Sequence, residues 1–102
     1  MIRYSVLYPH TANGTFDHDY YRDVHLQLIK ARMGDKLLSY TIDRITAMPD
    51  GSAAPFVAAC HLLCRSEEAL QQGMSGHVDE IVADVANFTN IASIKWIAEV
   101  RE

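Results

Sequence analysis

Residues 56–64 read FVAACHLLC, a run that is apolar except at His61. Successive side chains of a strand point to opposite faces, so a nearly unbroken apolar run predicts a strand whose sheet is covered on both sides. Helices must supply one of these covers. His61 interrupts the run and therefore needs a hydrogen-bond partner inside the fold or at a contact between two copies of the chain.

Three other stretches predict strands. Residues 2–8 (IRYSVLY) are rich in aromatic and β-branched side chains and stop at a proline. Residues 39–48 (SYTIDRITAM) alternate between apolar and polar side chains, and the proline- and glycine-containing loop PDGSAAP, residues 49–55, ends them. Residues 92–100 predict the last strand.

A helix is predicted for residues 18–33. Asp17 stands at its N-cap, and Gly34 follows its last turn. Phe16 and Tyr21 have the spacing of a hydrophobic staple across the helix start. At about 100° per residue, one apolar stripe forms on this helix, so His25 is expected to point inward. The stripe consists of Tyr21, Val24, His25 and Leu28.

A second helical region begins after Ser66, which is expected to cap it. Gly73 and Gly76 are expected to interrupt this region before His77. Apolar residues then recur at helical spacing up to Asn87. They are Val78, Ile81, Val82 and Val85.

The predicted order is β-α-β-β-α-β. This is the α+β, ferredoxin-like arrangement, in which both helices lie on one face of a single antiparallel sheet. The other face stays bare, so we expect a homodimer that forms through the sheet faces of one domain spanning residues 1–102. Met74 and Trp96 are expected to be core side chains.

Charge and composition exclude several classes of protein. The formal net charge of the 102-residue chain is -4, and its nine Lys and Arg residues are scattered, so we expect no nucleic-acid partner. No apolar run approaches the roughly 18 residues of a membrane span, and no secretion signal opens the sequence. We therefore expect a cytoplasmic protein that does not associate with membranes.

The only cysteines are Cys60 and Cys64, both in the strand at residues 56–64. Their Cα atoms would lie about 13 Å apart, too far for a disulfide bond. A zinc site with His61 between them is not expected either, because His61 points to the opposite strand face. The common nucleotide, metal and nucleophile motifs do not occur, so no cofactor and no metal are predicted.

With these elements in place, the sequence resembles the EthD family, which is named for a protein linked to ethyl tert-butyl ether degradation. Four segments carry the resemblance across almost the whole chain. They are VLYPH (6–10), FDHDYYRDVHLQL (16–28), PFVAACHL (55–62) and NFTNIA (87–92).

The resemblance implies a homodimeric α+β barrel that acts in the catabolism or tailoring of small organic compounds. Related muconolactone methylisomerases place a histidine of the first helix and a tyrosine of the second strand in their pocket, and these positions match His25 and Tyr40. The loop PDGSAAP has no histidine where that type has another one.

His25 is the main candidate for proton transfer, because its unperturbed pKa near 6.5 suits acid–base chemistry. A hydrogen-bonded core histidine is the structural alternative. Tyr40 is expected either to donate a hydrogen bond to a substrate oxygen or to pack across strands. Four further side chains are candidates for substrate binding, although packing also explains some of them. They are Tyr21, Leu28, His61 and His77.

Three functions stay open at this point. The first is an acid–base enzyme of isomerase, dehydratase or cyclase type that binds a small, largely apolar compound. The second is an oxidoreductase that uses O₂ or an external cofactor, as the reductase label of many family members implies. The third is a non-catalytic accessory or carrier protein.

Overall fold

A computed structural model, which describes residues 1–101, contains one four-stranded antiparallel sheet. The strands are β1 (Ile2–Pro9), β2 (Ser39–Arg44), β3 (Phe56–Cys64) and β4 (Ile94–Glu99). They lie in the order β2-β3-β1-β4. This sheet and its helices confirm the α+β, ferredoxin-like fold. The apolar run at residues 56–64 forms β3 with the predicted ends.

Helix α1, residues 18–33, has the predicted caps. The Asp17 carboxylate accepts a hydrogen bond from the Tyr20 N–H. At the other end Gly34 adopts a φ of 57°, a conformation that glycine allows at little cost. The rings of Phe16 and Tyr21 lie 5.0 Å apart, as a staple requires.

The middle of α1 differs from the regular helix assumed in the projection. His18–Tyr20 and Leu26–Met33 are α-helical, but Tyr21–His25 forms a π turn. Such a turn holds an extra residue and therefore rotates the faces that follow it. Val24 is 45% exposed, so its expected place on the buried stripe is wrong, whereas His25 is buried as predicted.

The second helical region consists of α2 (Glu67–Met74), α3 (Val78–Asp84) and a 3₁₀ turn at Val85–Asn87. Ser66 caps α2 as predicted. The expected interruption at Gly73 is wrong, because this glycine is buried inside α2. The chain breaks at Gly76 instead, where φ is 79°.

Strands β2 and β4 are shorter than the predicted ranges. β2 ends at Arg44, four residues early. Further along the predicted range, the Met48 N–H donates to the Ser52 carbonyl in a turn at residues 48–52. β4 begins at Ile94, two residues late, and ends one residue early. Local strand propensity does not show where neighbouring strands stop pairing.

The apolar core that the helices complete lies on one face of the sheet. Residues paired across strands share a face, and this core includes Val6 and Leu62 of the helix-side face. The opposite face carries Ile94 and Trp96, which are 45% and 48% exposed. The core position expected for Trp96 is therefore wrong within one chain.

The other side chains predicted to be in the core lie on the helix side of the sheet. Met74 packs against the core. Both Cys60 and Cys64 are free and buried, as the spacing predicted.

Within residues 1–101, no helix has the length and the apolar character needed to cross a membrane.

Candidate active site

A cleft of about 910 Å³ lies between the helices and the helix-side face of β1, β3 and β4. Its walls are mostly apolar, and they include Val6, Ile29, Leu62, Leu70, Ile81 and Ile91. An apolar cavity with a few polar groups is the usual form of a site for a small organic molecule. The polar groups that line it therefore decide what chemistry is possible.

His25 lines this cleft from the end of the π turn. The residue is only 3% exposed, and its ring stacks on Tyr21 at a centroid distance of 5.6 Å and an angle of 15°. Its Nδ1 atom lies 2.8 Å from Asp84 Oδ2 on α3. A carboxylate at this distance fixes both the orientation and the tautomer of an imidazole.

Asp84 is held by two further donors. The Tyr20 hydroxyl donates to Asp84 Oδ1 at 2.6 Å, and the side-chain amide of Asn87 donates to the same oxygen at 3.0 Å. Partial burial by itself raises the pKa of Asp84, but the hydrogen bonds from Tyr20, Asn87 and His25 outweigh it and lower the pKa. Asp84 is therefore ionised near neutral pH and accepts a hydrogen bond from Nδ1–H.

His25 is the neutral partner of this pair. Burial lowers the pKa of His25 below its ordinary value, and the hydrogen bond and charge of Asp84 offset this only in part. Nε2 makes no hydrogen bond within residues 1–101. Every fully buried side-chain N or O atom in this range has a hydrogen-bond partner, so Nε2 is not fully buried. The lone pair on Nε2 is thus accessible from the cleft, as a general base requires.

Tyr21 supplies hydrogen-bonding capacity beside this base. It lines the cleft, and its hydroxyl lies next to Tyr8 and Cys60. Burial raises the pKa of Tyr21 and of Tyr8 far above the ordinary phenol value. Both phenols therefore stay protonated and can donate hydrogen bonds.

The structure does not bring Tyr40 to the cleft. Tyr40 lies on the edge strand β2, and its hydroxyl accepts a hydrogen bond from Gln27 Nε2 at 3.1 Å. Leu28 is half-buried and packs against the core outside the cleft lining. The roles expected of these two residues in catalysis and binding remain predictions.

His61 lies on the opposite face of the sheet. The Ser5 hydroxyl is 2.7 Å from His61 Nδ1, and Asp43 Oδ2 is 3.2 Å from His61 Nε2. These contacts provide the partners that a histidine in an apolar strand needs. His77 precedes α3 and is half-buried outside the cleft lining.

Sequence reasoning missed Asp84. Its contact with His25 joins residues 59 positions apart, which no local pattern reveals. One signal was available, because Asp84 interrupts the apolar segment IVADVA and lies on the same side of α3 as Ile81. A carboxylate at an inward position needs a partner, just as His25 does.

Within residues 1–101, no three His, Cys, Asp or Glu side chains are arranged to hold a metal ion.

A model of the EthD domain matches residues 13–92 of the sequence. The chain belongs to the EthD family. The match confirms the resemblance, and it contains three of the four segments that carry it, since VLYPH (6–10) precedes residue 13. No protein of curated function matches the chain.

Solved structures agree with this assignment. An EthD-like protein from Ralstonia eutropha is 38% identical, with a TM-score of 0.88 over 96% of this EthD-family chain and 89% of that one. An EthD-family protein from Bacillus halodurans is 22% identical, with a TM-score of 0.76 over 99% of both chains. A dimeric ferredoxin-like protein of unknown function from Thermobifida fusca is 15% identical, with a TM-score of 0.63 over 97% and 90%. The last two likenesses concern the fold alone.

Proposed function

We propose that this EthD-family protein is a proton-transfer enzyme for a small, largely apolar organic compound, of isomerase, dehydratase or cyclase type. One observation carries the proposal. His25 is buried in an apolar cleft, is paired with the ionised Asp84 at 2.8 Å, and turns an unengaged Nε2 to the open space.

In the proposed reaction, His25 Nε2 removes a proton from a carbon next to a carbonyl group. The electron pair of the broken C–H bond forms a C=C bond, and the carbonyl electrons move to the oxygen, where the Tyr21 hydroxyl donates a hydrogen bond. Asp84 stabilises the imidazolium that forms. For an isomerisation, the imidazolium returns the proton to a different atom of the enolate as the C=O bond re-forms. For a dehydration, the enolate re-forms the C=O bond, a C=C bond forms to the β-carbon, and the β-hydroxyl group leaves as water with the proton that His25 had removed.

In this proposal Tyr21, and not Tyr40 as expected from the sequence, donates the hydrogen bond to the substrate oxygen. Its ring is stacked on His25, and both residues line the cleft. Tyr40 is engaged with Gln27 instead.

We also propose that the protein acts as a homodimer, which would cover the exposed sheet face. Ile94 and Trp96 give this face large exposed apolar surfaces. Surfaces of this kind usually mark protein contacts. The dimeric state of the Thermobifida fusca protein of the same fold supports this arrangement.

The experiment follows deuterium incorporation into β-tetralone, an apolar aryl ketone with acidic α-hydrogens, by NMR in D₂O. We expect the wild-type protein to accelerate exchange over buffer. Both His25→Gln and Asp84→Asn should lower the rate by about a hundredfold or more, because the base or its correct tautomer is lost. Tyr21→Phe should cause a smaller loss.

His10→Gln is the matched control, since His10 is an exposed histidine outside the cleft. The His10→Gln protein should accelerate exchange of the ketone hydrogens as much as the wild-type protein does. A ketone that shifts the NMR signals of cleft residues but exchanges no faster than in buffer would overturn the catalytic proposal. That result would favour the carrier function, which uses the same cleft without the chemistry. A rate that survives His25→Gln in folded protein would also contradict the proposal.

A further inference from the structure

Lys95 is the only formally charged side chain that lines the cleft of residues 1–101. Its Nζ atom donates a hydrogen bond to the Ser93 hydroxyl at 2.6 Å. No carboxylate of the described chain forms a salt bridge with it. Lys95 is an exposed residue. Its ammonium group, which has no salt-bridge partner in the described chain, is available at the edge of the apolar cleft to an anionic ligand.

The sheet register fixes where this cation lies relative to His25 and Tyr21. Lys95 pairs with Val6 on β1, and Val6 pairs with Cys60 on β3, so the three share the helix-side face. Neighbouring strands are about 4.8 Å apart, which puts the backbone of Lys95 about 10 Å from that of Cys60. Because the Tyr21 hydroxyl lies next to Cys60, a molecule of one or two rings can span the distance.

The rest of the lining limits where charge can be placed. Apolar side chains form most of the wall, and burying an unpaired charge against them is costly. Ser93, whose hydroxyl contacts Lys95 Nζ, also lines the cleft and can hydrogen-bond an anion. A negative group is therefore favoured at this end and disfavoured elsewhere in the cleft.

We infer that the cleft selects small apolar organic acids, molecules whose single anionic group binds Lys95 while their apolar body fills the space toward His25. This inference rests on the cleft of the proposed function and names its substrate class. It does not require that His25 be catalytic.

Two fluorescent probes that differ in one charge test the inference. Anilinonaphthalene sulfonate is an apolar anion, and phenylnaphthylamine is its uncharged counterpart. We expect the wild-type protein to bind the anion more tightly. Lys95→Met, which keeps the length of the side chain, should weaken the anion about five- to tenfold and change the neutral probe less than about twofold. Lys95→Arg should retain the preference.

Lys30→Met is the matched control, because it removes one charge from the exposed side of α1 and should change neither affinity. The inference is overturned if the wild-type protein does not prefer the anion, if Lys95→Met weakens both probes alike, or if Lys30→Met has the same effect as Lys95→Met. A preference for the anion that depends on Lys95, in a protein that exchanges no ketone hydrogens, would retain this inference and reject only the proposed catalysis.

Discussion

At the scale of single residues, the pairing of His25 with Asp84 explains how an imidazole can be buried and still remain a base. A buried imidazolium without a partner would be strongly disfavoured, so the ring is kept neutral by its surroundings. When it takes up a proton in the proposed reaction, the adjacent carboxylate offsets part of that cost. The two further donors from Tyr20 and Asn87 keep this carboxylate ionised and fixed in place.

Cys60 lines the same cleft, but its properties differ from those of a nucleophile. Burial raises the pKa of the Cys60 thiol to about 11. The thiolate, which is the reactive form of cysteine, is therefore scarce at neutral pH. The candidate chemistry at this end of the cleft belongs to His25 and Tyr21.

At the scale of elements, packing of α2 against the end of α1 depends on the missing side chain of Gly73. A Cβ atom added there would lie 2.9 Å from Lys36 Cβ and 3.0 Å from Met33 Cε. Lys36 Cβ is attached directly to the backbone, so relief of this contact would require the two segments to move apart.

We predict that Gly73→Ala lowers the free energy of unfolding by about 1 to 2 kcal/mol. Inside a helix the same change would ordinarily stabilise by about 0.5 to 1 kcal/mol, so the sign of the effect is informative. Urea denaturation measures it. Gln72→Ala, on the exposed neighbouring position of α2, should be close to neutral. Unchanged or increased stability of Gly73→Ala would show that the packing at this contact is looser than described.

The sequence predicted these elements well because their signals are local. The cap at Asp17, the turn at Gly34 and the apolar run of β3 each depend on a few neighbouring residues. The π turn was not predictable from a fixed 100° projection, and it moved Val24 outward. In the candidate site, inward placement of His25 was predictable from spacing. Asp84 was not, because only the folded chain brings it there.

At the scale of the whole molecule, the exposed sheet face is the feature that one chain leaves incomplete. It carries a polar row made by Ser5, His61 and Asp43, which are linked by hydrogen bonds, and Trp96 lies beside Ser5. In the proposed dimer this row would be covered by the partner. Its internal hydrogen bonds would reduce the cost of that burial.

We predict that the wild-type protein is a dimer in light scattering at low micromolar concentration. Trp96→Glu should shift it to monomer, because a charge would replace the large exposed apolar side chain on that face. Val82→Glu places the same charge on α3, at a residue that is 62% exposed on the cleft side, and should leave the dimer intact. A folded wild-type monomer would contradict the proposed assembly, as would dissociation caused equally by both changes.

The proposed chemistry requires His25 to be a neutral base whose Nδ1–H donates to Asp84 and whose Nε2 is free. The most direct measurement is an ¹⁵N NMR titration of the imidazole in ¹⁵N-labelled protein, assigned with His25→Gln. We predict a proton on Nδ1 and none on Nε2 at neutral pH. The midpoint should lie below the ordinary 6.5, because burial lowers the pKa. In Asp84→Asn the midpoint should fall further, since the charge that favours the imidazolium is removed. A proton on Nε2 at neutral pH, or a midpoint above 6.5, would contradict the account.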